Sequence, residues 1–366
     1  MDLQKGGLDV LAGLRAEWQE LLQGLSDDDP YSRPEWILAY LRAYSPAAKV
    51  ISLTAREGGA LAAVLPLTLE NATFSGLPAR KLRVPLPMPG ATAELVLAPG
   101  VDQDGAVRAF WESLKRLPGW DVLELPSVYE GTPAERLCRL AESDGFRTGS
   151  LGMPPMPYIP LGGEPGKGRD TEKLPPSATL RSRLRQAERR LSAQGDLRLR
   201  RFEKADPNLL QRFYELEAGG WKGKEKSAIL NDPRSRQFFS EAAFEAGKLN
   251  YLSFYTLELD GRLLSAHFGL IYKGRYYAPK IGYDEGYRQY RPGHLIVREI
   301  LRDCAQRGVS EYPMGVLEEW KTEWTKELRT RTFRCIFNKG IWSRALFENC
   351  FRLKPSLRRL RNRSSP

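Results

Sequence analysis

The sequence predicts an α/β fold made of two tandem domains of about the same size, each built on a mixed sheet. Three observations point there. The order helix, helix, hairpin, strand, helix, strand is read twice along the 366 residues, which suggests duplication of one unit rather than a solenoid. The two hairpins carry turn signals at matching places, Glu57-Gly58-Gly59 and Asp260-Gly261. In each half a meander of strands precedes the main helix, which argues against a fully parallel, doubly wound sheet.

The elements follow in order. Leu11, Leu14, Trp18, Leu21, Leu22 and Leu25 recur at helical spacing, and Asp27-Asp28-Asp29-Pro30 ends the run. A second short helix is expected after Ser32-Arg33-Pro34, with Ser as cap and Pro in the first turn. Strands follow at Lys49–Ala55 and Ala60–Leu69, with shorter ones near Lys81–Val84 and Glu94–Ala98. A helix over Asp104–Leu117, a strand over Asp121–Leu125, a helix near Pro133–Ser143 and a strand from Phe146 complete the first domain, 1–150. Residues 151–176 contain seven Pro and five Gly and read as a connection; Tyr158-Ile159-Pro160-Leu161 within it has the composition of an edge strand.

The second domain, 177–341, opens on a helix whose Leu180, Leu184, Ala187 and Leu191 form an apolar stripe, with Arg181, Arg183, Arg185, Arg189 and Arg190 on its other faces. Helices are then expected at Pro207–Ala218 and Arg234–Ala246. After them come the hairpin Asn250–Leu259/Arg262–Tyr272 and the strand Arg275–Tyr283, then a helix over Gly293–Gln306. Short strands at Val309–Tyr312 and Thr330–Asn338 close it, and a basic tail, 342–366, remains.

Composition narrows the function classes. The chain is 42% hydrophobic and 28% charged, ordinary for a globular protein, and it has no apolar stretch of about 18 uncharged residues. No secretory leader is read at the N-terminus. Cys138, Cys304, Cys335 and Cys350 are far apart, and the chain has only two histidines. The expectation is a reducing, cytoplasmic setting without a structural metal. The net charge of +11 is concentrated: residues 177–204 carry nine Lys/Arg against three acids, and residues 342–366 carry seven against one. Such clustering suits a polyanionic partner, and it equally suits a solvated helix face and a frayed tail.

The chemistry gathers at Tyr283-Asp284-Glu285-Gly286-Tyr287-Arg288-Gln289-Tyr290-Arg291-Pro292-Gly293-His294. A strand ends, a polar loop follows and a helix opens at Pro292-Gly293. First-turn amides and the positive helix end favour an anion, Gly293 permits close backbone approach, and Arg288 and Arg291 add full charges. The same residues also suit an ordinary Pro-started helix behind a solvent-facing loop.

This strand–loop–helix unit resembles the acyl-coenzyme A site of the GNAT acyltransferase superfamily. Arg291-Pro292-Gly293-His294 is similar to the helix start of its FemAB-like and CelD-type branch. Three further stretches are similar to that branch: Trp36 to Leu67, the basic helix Arg181–Gly195, and Glu319-Trp320-Lys321-Thr322-Glu323-Trp324. The resemblance implies tandem GNAT-like domains, the second binding acetyl-coenzyme A or another acyl donor, with direct attack by an acceptor amine. It implies donor contacts from Arg288, Arg291, Pro292, Gly293 and His294. Substrate contacts are expected from Lys280, Trp320, Lys321 and Trp324, and proton transfer from His267, Tyr283, Glu285 or Tyr290. His267 is also read as a hydrogen-bonded packing residue of its strand. The family's acidic tripeptide after the penultimate strand is replaced by Pro313-Met314-Gly315, so Glu311, Glu318 or Glu319 would have to supply a carboxylate.

The leading expectation is a cytoplasmic N-acyltransferase acting on a small-molecule or sugar-like amine. The alternatives are an aminoacyl-tRNA-dependent transferase of the Fem type and a catalytically silent GNAT-like scaffold. The basic segments 177–204 and 342–366 would then meet tRNA or an anionic membrane surface.

Overall fold

The computed structural model describes residues 2–26, 28–92, 94–162 and 176–353. A short strand, β1 (Asp2–Gly6), precedes α1 (Leu8–Gly13) and α2 (Arg15–Gln23), two helices where the periodicity suggests one. Both present the expected stripe, with Leu11, Trp18, Leu21 and Leu22 buried. In α3 (Pro34–Tyr44) the cap position is Arg33, not Ser32. Ser32 belongs to a 3-10 turn whose Asp29 side chain accepts from the Tyr31 and Ser32 amides. The meander β2 (Lys49–Glu57), β3 (Ala60–Phe74) and β4 (Leu77–Arg83) is followed by β5 (Val96–Leu97), α4 (Gln103–Arg116), β6 (Val122–Val128), α5 (Pro133–Ser143) and β7 (Arg147–Gly152).

The second half holds β8 (Met156–Pro160), α6 (Ala178–Ser192), β9 (Leu197–Phe202), α7 (Pro207–Ala218), α8 (Trp221–Lys224) and α9 (Pro233–Lys248). Then come β10 (Phe254–Leu259), β11 (Arg262–Tyr272), β12 (Arg275–Tyr283), α10 (Pro292–Gln306), β13 (Glu311–Pro313), β14 (Leu328–Arg329), β15 (Thr332–Phe337) and α11 (Ile341–Glu348). Both hairpin turns have two residues at positive φ, Gly58 and Gly59 at +58° and +84° and Asp260 and Gly261 at +49° and +80°, as a tight hairpin twisted with its strands requires.

Two mixed sheets result. The first has the order β1-β2-β3-β4-β6-β15-β7, with β5 beside β3; the second runs β14-β8-β13-β12-β11-β10-β9. Pairing is antiparallel except for β4 with β6 and β12 with β13. One strand crosses from the second half into the first sheet. β15, near the end of the chain, lies between β6 and β7 of the first sheet, and β8 lies between β13 and β14 of the second. The ranges 1–150 and 177–341 therefore differ from sheet membership, and residues 156–160 form an interior strand rather than an edge.

Each sheet is covered on both faces. α4 and α5 pack on the first sheet around Phe110, Trp111 and Leu137, while α1 to α3 form a cluster about Trp18 and Leu38. α6 and α10 cover the second sheet through Leu184, Leu191, Ile296 and Ile300. A fourth cluster belongs to both halves: Tyr31, Trp36, Ala39 and Met88 pack with Phe213, Phe238, Phe268 and Tyr277.

The basic segments divide in character. On α6 the predicted stripe is buried, and Arg183, Arg185, Arg189 and Arg190 are exposed. The second part of that segment is the edge strand β9, which the sequence reading missed. In the tail, Leu346 is fully buried and Phe347 and Phe351 pack with Phe74 and Phe337. Of the tail residues Leu346, Phe347, Phe351 and Leu353, whose pattern would suit a lipid surface, the first three are thus committed to the first sheet and Leu353 is exposed. The cluster Arg358-Arg359-Leu360-Arg361 lies outside the described residues. Among the described residues no helix is long and apolar enough to cross a membrane.

Candidate active site

The second sheet is splayed at its centre. β12 and β13 run parallel and pair only at Arg275 with Glu311. Beyond that point β13 stays with β8, while β12 continues to Tyr283 paired only with β11. Proline has no amide to donate to a ladder, and each strand carries one at the opening, Pro279 and Pro313. The Tyr276 and Tyr312 rings meet 5.0 Å apart. The gap opens into a cavity of about 990 Å³ lined by β12, the start of α10, the segment after β13 and residues of the first half.

Of the residues singled out from sequence, His267, Lys280, Tyr283, Glu285, Arg288, Arg291, Pro292, Gly293, His294, Trp320 and Lys321 all line this cavity. Two do not. Tyr290 stands outside, its hydroxyl accepting from Gln194 Nε2 at 2.8 Å. Trp324 is buried behind the wall and donates from Nε1 to His294 Nδ1 at 3.1 Å.

The anion site is narrower than the sequence suggests. Arg291 takes the left-handed conformation (φ +52°) as the cap of α10, with no side-chain cap. The amides of His294 and Leu295 both donate to its carbonyl at 3.0 Å. The backbone donor left for a ligand is the Gly293 N–H, with Arg288 and Arg291 beside it. Neither arginine has an ion-pair partner among the described residues. A Cβ at Gly293 would meet only the Tyr283 ring, at 3.6 Å.

His294 is oriented by its neighbours. Its ring lies parallel to Trp324 and edge-on to Trp320, both at 5.9 Å. Because Nδ1 accepts from Trp324, the neutral ring carries its proton on Nε2, 4.0 Å from Glu323. Burial pulls the imidazole below its usual pKa, Glu323 opposes this, and Arg291 adds to it. A depressed pKa stabilises the fold fully above the unfolded value of about 6.5, and this contribution is lost as pH falls below it. His294→Gln is therefore expected to flatten the fall in chemical stability between about pH 6.5 and pH 5. Urea titrations showing an equal slope in both proteins would contradict this.

His267 is 1% exposed and lies 3.5 Å, through Nδ1, from the Tyr276 hydroxyl. It is thus both a packed strand residue and a cavity-lining one. Of the carboxylates lining the cavity, the sequence reasoning missed Glu217. Glu217 on α7 is buried, accepts from the Ile229 amide at 2.9 Å and stands 3.6 Å from Lys280 Nζ. The signal was available, since Glu217 continues the apolar stripe Leu210, Phe213, Tyr214, where an acid needs a reason. Glu318 lines the rim and accepts from Trp320 Nε1 at 3.0 Å, with Lys321 Nζ at 2.9 Å. Glu285 is paired with Lys224 at 2.8 Å. From the first half, Tyr31 and Met88-Pro89-Gly90 close the cavity, and no local motif marks them.

Residues 178–322 match the family model of the acetyltransferase (GNAT) domain. That span contains α6, the hairpin, the splayed strands and the start of α10. The crystal structure of FemX superposes with a TM-score of 0.62 at 12% identity, covering 96% of this chain and all of that one. The C-terminal domain of a putative lysylphosphatidylglycerol synthetase from Agrobacterium fabrum gives 0.53 at 12%, over 92% and 95%. L-PGS from Bacillus licheniformis gives 0.53 at 10%, over 95% and 96%. At these identities the likeness is one of fold, and it covers both halves. No curated protein matches the chain.

Proposed function

We propose that the chain is an N-acyltransferase that moves an acyl group from acyl-coenzyme A to an amine inside the cavity between its halves. The observation that carries this reading is the single cavity joining the splay of β12 and β13 to the start of α10. The donor's phosphates would sit at the Gly293 N–H with Arg288 and Arg291, where partial and full positive charges coincide. The thioester would lie along β12 in the splay.

The amine attacks the thioester carbon, a C–N bond forms, the C–S bond breaks, and the thiolate leaves. The attacking nitrogen must lose a proton and the thiolate must gain one. Glu217 is the carboxylate we assign to the first transfer, because it is buried in the wall beside Lys280 and Pro313 stands where the related fold has an acid. His267 is the other group within the same wall. Tyr283, beside Gly293, is assigned to protonate the thiolate. Much of the acceleration would come from positioning.

Calorimetric titration with acetyl-coenzyme A is the test, with binding expected. A second reading, aminoacyl transfer from charged tRNA, draws on the FemX-like fold and on the four exposed arginines of α6. It predicts binding to charged tRNA that weakens steeply with salt. Absence of binding to both donors would leave only a non-catalytic scaffold. A cytoplasmic location remains part of this proposal.

A further inference from the structure

The cavity has two chemically different ends. β12 spans it from Tyr277 to Tyr283, seven residues or roughly 20 Å of extended chain. At the Tyr283 end stand Arg288, Arg291 and the helix start. At the Tyr277 end the wall is apolar and comes from both halves: Tyr31, Met88, Met156 and Met314 line it with Tyr277. Three of the chain's five methionines are here. The Tyr31 and Tyr277 rings meet edge to face at 5.9 Å, and a Cβ on Gly90 would lie 3.3 Å from Met156 Cε and 3.7 Å from Gly315 Cα.

This end is built and held open. Arg331, 4% exposed, donates to the Pro89 and Pro154 carbonyls at 2.9 and 3.1 Å and to Ser127 Oγ at 2.9 Å. Asp29 accepts from the Thr92 amide and hydroxyl at 3.1 and 2.9 Å. The buried Arg331 and the half-buried Asp29 thus fix the loop that carries Met88 to Gly90 from both sides. Methionine side chains are unbranched and polarizable, and they mould to apolar groups of varying shape. An acetyl group would fill little of such an end.

We propose that the methionine-lined end takes a flexible hydrocarbon group of about six to ten carbons, borne either by the acyl donor or by the acceptor amine. The assignment of donor and acceptor rests on the acyltransferase reading; the apolar subsite does not. The test is calorimetry on the full chain with two pairs of probes, acetyl- against octanoyl-coenzyme A and ethylamine against octylamine. At one pair, the octyl member is expected to bind at least ~30-fold tighter, from six further buried methylenes. Gly90→Val, which narrows this end, should cut that gain to under about threefold while leaving acetyl-coenzyme A binding intact. Met88→Gln, of similar volume but polar, should reduce it several-fold without filling the space.

A gain with octanoyl-coenzyme A assigns the chain to the donor, and a gain with octylamine assigns it to the acceptor. If acetyl-coenzyme A binds and neither pair shows a gain, the subsite is overturned and the acyltransferase reading stands. An octylamine gain without any coenzyme binding keeps the subsite and removes that donor. A gain that survives both substitutions also overturns the subsite.

Discussion

Glu35→Ala is expected to lower the free energy of unfolding by about 3–5 kcal/mol, the loss usual when one partner of a buried pair is removed. Glu35 is 1% exposed. Its carboxylate pairs with Arg33 and accepts from the Tyr251 hydroxyl at 2.9 Å and from Gln19 Nε2 at 3.2 Å. Arg33 in turn lies over the Tyr251 and Tyr272 rings, at 5.0 and 5.4 Å. Tyr251 also accepts from Trp36 Nε1 at 3.2 Å. The alanine variant leaves a guanidinium enclosed by aromatic rings with its counter-charge gone. Because the network joins α3 to β11, the loss should appear in one cooperative transition shared by both halves. Urea unfolding followed by tryptophan fluorescence would measure it, and a change below 1 kcal/mol would refute the assignment. The double substitution of Arg33 to Met and Glu35 to Leu should recover much of the loss, since an apolar replacement of a buried pair is often neutral.

Gly293→Asp carries the largest expected effect on binding, a loss of acyl-coenzyme A affinity of at least ~100-fold, equivalent to about 3 kcal/mol. The new carboxylate would stand in the first turn of α10, where the helix end favours negative charge by a few tenths of a kcal/mol. A side chain there meets only ordinary contact with Tyr283, so the fold should be retained or slightly stabilised while the donor's phosphates are repelled. Gly293→Ala should bind nearly as well as the parent. The pair separates charge from bulk, and equal losses in both variants would place the donor elsewhere.

Much of the second half was legible because its signals are local. Asp260-Gly261 dictates its hairpin, Leu180, Leu184, Ala187 and Leu191 dictate the buried face of α6, and Arg291-Pro292-Gly293 marks a helix start whatever surrounds it. β1 and β9 were not legible. They are short strands on sheet edges, and Leu197 to Phe202 reads as a charge cluster because arginines alternate with its apolar residues. The insertion of β15 into the first sheet leaves no local trace, since pairing with a remote strand places no requirement on period or turn chemistry. The same holds for the cavity. β12 and α10 announce their residues, whereas Met88-Pro89-Gly90 and Tyr31 are ordinary loop residues until tertiary contacts bring them to the splay. The tail shows the converse: Phe347 and Phe351 have the pattern of a membrane-facing helix, and Phe74 and Phe337 cover them instead.

The insertion of β15 between β6 and β7 has a consequence for how the molecule is made. Synthesis runs from the N-terminus, so β6 and β7 leave the ribosome with the place between them vacant. It is filled only when Thr332–Phe337 emerges, some two hundred residues later. During that interval the two strands present open backbone edges, which invite pairing with other chains. A nascent chain of this design spends nearly its whole translation without a finished first sheet, and its closing contacts have very long sequence separation, which slows folding. Its yield in a cell should depend on elongation speed and holding chaperones far more than the stability of the finished protein would suggest.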